Sequence, residues 1–174
     1  MQINVAQQLK SPIGSVRDYE LRAYIDIAGG PRLVEGSALF TRVDRGILVQ
    51  CNLRTAIDIE CSRCLCLFNC PILLKIEEEY FPTTDVVSGH RLELPDKPGC
   101  FTIDEHHILD LTEAVRQYSL LAVPMKPLCQ QDCAGICPQC GRNLNVESCT
   151  CENGGIDPRW SVLLKLKEES KGTK

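Results

Sequence analysis

Residues 47–59 read ILVQCNLRTAIDI, and this stretch decides the fold. Ile47, Val49, Cys51, Leu53, Thr55, Ile57 and Ile59 take the odd positions, while Gln50, Asn52, Arg54 and Asp58 fall between them. Side chains of a strand alternate between two faces, so a period of two held over 13 residues describes a strand with one face in a core and the other in water. A helix would scatter the same set around its circumference. The pattern resumes beyond Cys61-Ser62-Arg63-Cys64 as Phe68, Cys70, Ile72, Leu74, Ile76 and Tyr80, which puts this C-x-x-C at the tip of a long hairpin. Upstream, Asp44-Arg45-Gly46 is a tight turn leading back to residues 33–43, with Val34, Ala38 and Phe40 on one face and Glu35, Ser37 and Thr41 on the other. Residues 16–27 alternate more loosely and read as another strand, and Met1 to Leu9 as a short edge strand ended by Pro12-Ile13-Gly14.

These signals predict an α+β chain, mainly an antiparallel β meander or partial barrel with one or two packing helices. The segment from Pro82 to Gly99, rich in Pro, Gly and Thr, reads as a long loop that is either mobile or a contact surface. A helix spans 110–123. Asp110 and Glu113 have the spacing of a capping box, Leu111, Ala114, Val115, Tyr118, Leu121 and Ala122 make its apolar stripe, and Pro124 ends it. The expected division is a β domain over 1–124 and a Cys-rich, zinc-binding appendage over 125–174. The appendage closes on a short helix from Asp157-Pro158-Arg159-Trp160 and a lysine-rich tail.

Six of the twelve cysteines fall between 129 and 151, spaced C-x3-C-x3-C-x2-C-x8-C-x-C. Cys137-Pro138-Gln139-Cys140-Gly141 is a metal knuckle by chemistry: two thiolates two residues apart can share one turn, and Gly141 lets the backbone fold back beneath them. Zinc takes four such sulfurs in a tetrahedron, at about 2.3 Å each. Cys149 and Cys151 could supply the second pair, leaving Cys61 and Cys64 idle. Alternatively, Cys61 and Cys64 join Cys137 and Cys140 in a two-knuckle ribbon, and Cys129, Cys133, Cys149 and Cys151 take another metal. One or two zinc ions are thus open. Twelve cysteines behind a start with no secretory pattern point to a reducing compartment, where metal ligation is favoured over disulfides. Cys51 and Cys70 lie on apolar strand faces and read as core residues; His106 and His107 read as surface histidines.

A net charge of -4 and a pI near 5.4 argue against simple coating of nucleic acid. No apolar run approaches the roughly 20 residues that span a bilayer. No G-x-S-x-G, P-loop or H-E-x-x-H occurs, and a fully thiolate-bound zinc has no open position for water, so catalysis and a small-molecule substrate find no support. Arg63 in the hairpin knuckle, Arg142 in the zinc loop, Arg159 and Lys165 are the candidate phosphate contacts, with ordinary surface charge the competing explanation.

CSRCL after a long strand, the strand end Glu78-Glu79-Tyr80-Phe81, the helix from Asp110, then PLCQQDCAGICPQCGRNLN and a C-x-C followed by DPRW, form an ordered series. In that series the chain resembles the bacterial YceD family, the large ribosomal RNA subunit accumulation proteins, over residues 33 to 167. The resemblance implies a cytoplasmic, non-enzymatic factor needed for synthesis, processing or stability of large-subunit ribosomal RNA. Its partners would be that RNA, a pre-ribosomal particle or a ribosomal protein.

Overall fold

A computed structural model of the chain describes residues 1–96 and 98–151. The expected helix after Asp157 lies outside them. The described chain forms two compact units, one of Met1–Cys61 with Cys66–Cys129, the other of Ser62–Leu65 with the segment that begins at Gln130.

The first unit is built on four long strands, β2 (Val16–Ile27), β3 (Gly30–Arg42), β4 (Ile47–Glu60) and β5 (Leu67–Pro82), each antiparallel to the next. The β4–β5 ladder runs from Ile47↔Tyr80 to Glu60↔Leu67, so every odd residue of β4 meets an even residue of β5 on the same face. That face is the core: Ile47, Val49, Cys51, Leu53, Ile57, Ile72, Leu74, Ile76 and Tyr80 are buried, as the alternation requires. Burial pushes the Cys51 thiol up to about 12, which makes it a packing residue rather than a reactive one.

Three short strands, β1 (Gln2–Asn4), β6 (Phe101–Ile103) and β7 (Ile108–Asp110), complete a seven-stranded sheet in the order β1-β7-β6-β5-β4-β3-β2. The sheet is mixed, because β6 pairs parallel with β5. It curves into a half-barrel. Helix α2 (Thr112–Leu121) packs against both β5 and β2, two strands that only a curved sheet brings to one helix, with Ala114 and Val115 buried.

Several local expectations are corrected. Met1 to Leu9 is not one strand: the Asn4 Oδ1 accepts the Ala6 amide at 3.0 Å and turns the chain into helix α1 (Ala6–Leu9), where buried Gln8 donates to the Phe40 carbonyl at 2.6 Å. No capping box forms at α2. Asp110 accepts the Thr112 amide at 2.8 Å, but Glu113 turns outward to Arg116 and Gln117, each at 2.7 Å. Within the Glu77-Glu78-Glu79 run, Glu78 sits on the inward face and accepts the Tyr118 hydroxyl at 2.8 Å. Residues 83–92 form an ordered turn, with Leu92 bonded back to Thr83 at 2.9 Å and the Asp85 carboxylate taking the amides of Val87 and Ser88. His107 is half-buried in a left-handed conformation (φ 60), its carbonyl accepting the Val5 amide.

Gly36 sits where β3 passes close to β4: a Cβ there would lie 2.2 Å from the Asn52 carbonyl oxygen, at a φ of +150. Gly36→Ala is therefore expected to cost about 1–3 kcal/mol, read as a lower urea midpoint with native far-UV dichroism. Asp110 offers a second test. Partial burial favours its neutral form, but hydrogen bonds from the Thr112 hydroxyl, the Thr112 amide and Gln2 outweigh that and hold the carboxyl well below the usual range. An unfolded aspartate titrates near about 3.9, so this contribution is complete above that pH and disappears as pH falls through the lower folded value. Asp110→Ala should cost about 1 kcal/mol at neutral pH and flatten the acid limb of the stability profile.

Candidate metal centre

The two C-x-x-C segments fold into the same turn. The Cys61 amide bonds to the Cys66 carbonyl at 2.9 Å, and the Cys137 amide to the Arg142 carbonyl at 2.8 Å, five residues ahead in both cases. The residue after the second cysteine is left-handed in each, Leu65 at φ 59 and Gly141 at φ 73. Gly141 adopts this freely. Leu65 does so at a steric cost of about 1–2 kcal/mol, and its side chain remains exposed.

Each turn is joined by a different second pair. The sulfurs of Cys61, Cys64, Cys129 and Cys133 lie within 4.8 Å of one another, and so do those of Cys137, Cys140, Cys149 and Cys151. Four sulfurs at about 2.3 Å from one tetrahedral ion stand about 3.8 Å apart, so both groups fit with a small contraction. The two C-x-x-C turns thus fall in separate groups, and Cys61 and Cys64 stand with Cys129 and Cys133.

The groups differ in setting. Cys61, Cys64 and Cys133 are buried, whereas in the second group only Cys137 is. Amides of Cys140 and Gln139 hydrogen-bond the Cys137 sulfur and lower its thiol to about 6, favouring the thiolate that a metal needs. The Cys151 thiol is pushed up to about 12, first by its hydrogen bond with Cys140 and then by desolvation. Metal binding to such a set would displace the remaining thiol protons. With a metal bound, four sulfurs would close the coordination shell and hold the cysteine-bearing chain segments together.

Around Cys133 the structure adds a residue that spacing arguments missed. Asn145 donates its Nδ2 to the Cys133 sulfur at 3.3 Å and accepts the Ala134 amide at 2.7 Å through Oδ1. Such outer contacts orient a ligand and stabilise its charge. Only the position of Asn145 in the polar loop after Cys140 hinted at it. Arg63 donates to the Cys133 carbonyl at 2.9 Å, and Arg142 lies 3.8 Å from Glu147. Arg159 and Lys165 fall outside the described residues.

The family described as large ribosomal RNA subunit accumulation protein YceD matches residues 49–167, from near the start of β4 to beyond the last cysteine. The chain belongs to the YceD family. Uncharacterized proteins of Mycobacterium tuberculosis and Mycobacterium bovis are each 32% identical over 127 residues, 71% of this chain and 57% of theirs. This YceD-family chain therefore matches little more than half the length of those relatives. A further relative is the large ribosomal RNA subunit accumulation protein YCED homolog 1, chloroplastic, of Arabidopsis thaliana. It is 30% identical over 61 residues, 35% of this chain and 19% of the plant protein. No solved structure matches.

A side chain at 141 meets the left-handed backbone directly. Gly141→Val is expected to weaken the second turn by about 1–2 kcal/mol, seen as faster amide exchange over residues 137–145 with protection of the sheet unchanged. Unaltered exchange there would show that the left-handed turn is not needed.

Proposed function

We propose that the chain is a non-enzymatic ribosome-biogenesis factor of the cytoplasm, which promotes synthesis, processing or stability of large-subunit ribosomal RNA by binding its precursor or an assembly particle. Membership of the YceD family over residues 49–167 carries this reading. The closed thiol clusters agree with it, since they supply rigidity rather than a reactive centre. Among the described residues no helix is long and apolar enough to cross a membrane.

Each cluster would hold one zinc ion, through Cys61, Cys64, Cys129 and Cys133 in one case and Cys137, Cys140, Cys149 and Cys151 in the other. All-thiolate tetrahedral sets select zinc or iron. Protein purified in reductant is expected to contain two zinc ions per chain and no visible charge-transfer band. Cys64→Ser and Cys140→Ser should each lower the count to one. Cys140→Ser should also unfold the second turn while the sheet persists, because metal binding and local folding are one equilibrium. A count of two in either variant would remove that cysteine from the ligand set.

A second reading, a zinc-stabilised adaptor that acts on ribosome assembly through a protein, is favoured by the arginines. Arg63 is directed onto the Cys133 carbonyl and Arg142 is paired with Glu147. Affinity for large-subunit RNA measured against salt separates the two. Direct binding gives a slope of roughly 0.7–0.9 log units for each phosphate neutralised. Co-purification of a ribosomal protein that survives nuclease, with no RNA in the eluate, would establish the adaptor instead.

A further inference from the structure

Beside the end of β5, the first unit carries a cleft of about 630 Å³ that neither the clusters nor the family reading uses. Its apolar lining comes from Leu9, Phe81, Pro82, Val86, Val87 and Leu92. Both walls are held by internal hydrogen bonds. On one side Arg42 binds the carbonyls of Leu9, Val43 and Gly46, which ties the end of α1 to the turn after β3. On the other, Asp85 accepts the amides of Val87 and Ser88 and the Ser88 hydroxyl, and the Asp85 amide bonds the His90 carbonyl at 2.8 Å. Residues 84–92 of the loop expected to be mobile or a contact surface thus form a hydrogen-bonded wall, with Val87 at 84% exposure and Leu92 at 40%. A concave, largely apolar lining with a few charged groups around it has the make-up of a binding cleft.

The charges decide the occupant. Among the described residues the lining carries three cations, Lys10, Arg42 and Arg45, and three anions, Asp44, Asp85 and Glu93, and so has no net charge. Arg45 lies over the Phe81 ring at 5.9 Å, within cation–π range. A polyanion gains nothing from such a lining, whereas a polypeptide with an apolar anchor and charges of both signs meets it group for group. We propose that this cleft binds an extended segment of a partner protein, through one large apolar side chain flanked by acidic and basic residues. The proposal goes beyond the ribosomal RNA reading and does not depend on it.

The test is selection of random linear peptides of about twelve residues on the full metal-loaded chain, followed by titration of the enriched peptides into ¹⁵N-labelled protein. The expected consensus holds a large apolar residue between charges and shifts the amides of residues 84–92. Val87→Glu and Leu92→Glu should each weaken binding about ten-fold with unchanged thermal unfolding, while Tyr24→Glu, an exposed site outside the cleft, should leave it intact. Failure to enrich any consensus, or binding indifferent to both rim substitutions, would overturn the proposal. So would a single-stranded RNA of mixed sequence that shifts the same amides and displaces the peptide, since the cleft would then serve nucleic acid.

Discussion

The pairing of β4 with β5 is the constraint on which the rest of the molecule depends. Its fourteen residue pairs run without interruption from Ile47↔Tyr80 to Glu60↔Leu67. A slip of one residue would carry Ile72, Leu74 and Ile76 to the solvent face and Leu73 and Lys75 into the core. The burial of one face therefore locks the register, and the register places both ends of the hairpin. At one end it presents Cys61 and Cys64; at the other it delivers Phe81 and Pro82 to the floor of the cleft. With strands rising about 3.4 Å per residue, the two ends lie at most about 45 Å apart along β4.

The described part of the second unit rests on a different principle. Of the hydrophobic residues in 130–151, only Cys133 and Cys137 are buried, while Ile136, Leu144 and Val146 stay exposed. Sulfur and hydrogen bonds do there what apolar packing does in the sheet. The backbone bonds at Cys137, Gly141 and Leu144 and the Asn145 contacts form a small lattice around the thiols. A segment of this size cannot bury enough apolar surface to fold on that alone, which is why cross-links by metal are the usual solution.

What was legible followed from short-range periodicity. Odd–even alternation in 47–60 and 67–82 reveals strand direction, facing and core residues, because the pleat imposes a period of two whatever the strand pairs with. Where local chemistry competed with periodicity, the reading failed. Ile3 and Val5 alternate, but the Asn4 side chain captures the Ala6 amide and bends the chain into α1. Glu113 has the capping-box spacing, yet Arg116 and Gln117 one turn on offer it better partners. For the loop after β5, composition left mobility and a contact surface open, and only the structure shows Asp85 ordering its first part, a single carboxylate taking three donors at once.

By itself the sequence determined the β class, the hairpin with a C-x-x-C at its tip, the eight thiols suited to metal and the likeness to the YceD family. Each is local, or a sum of local features in order. Tertiary structure alone decided the parallel pairing of β6 with β5, and which cysteines stand together. Spacing states only that two thiols two residues apart can share a turn; it is silent about which distant pair completes the set. That choice rests on where the hairpin tip and residues 129–133 are carried by contacts some seventy residues apart in sequence, such as Arg63 with the Cys133 carbonyl. A local pattern cannot encode such contacts, because their energy exists only once the sheet has formed.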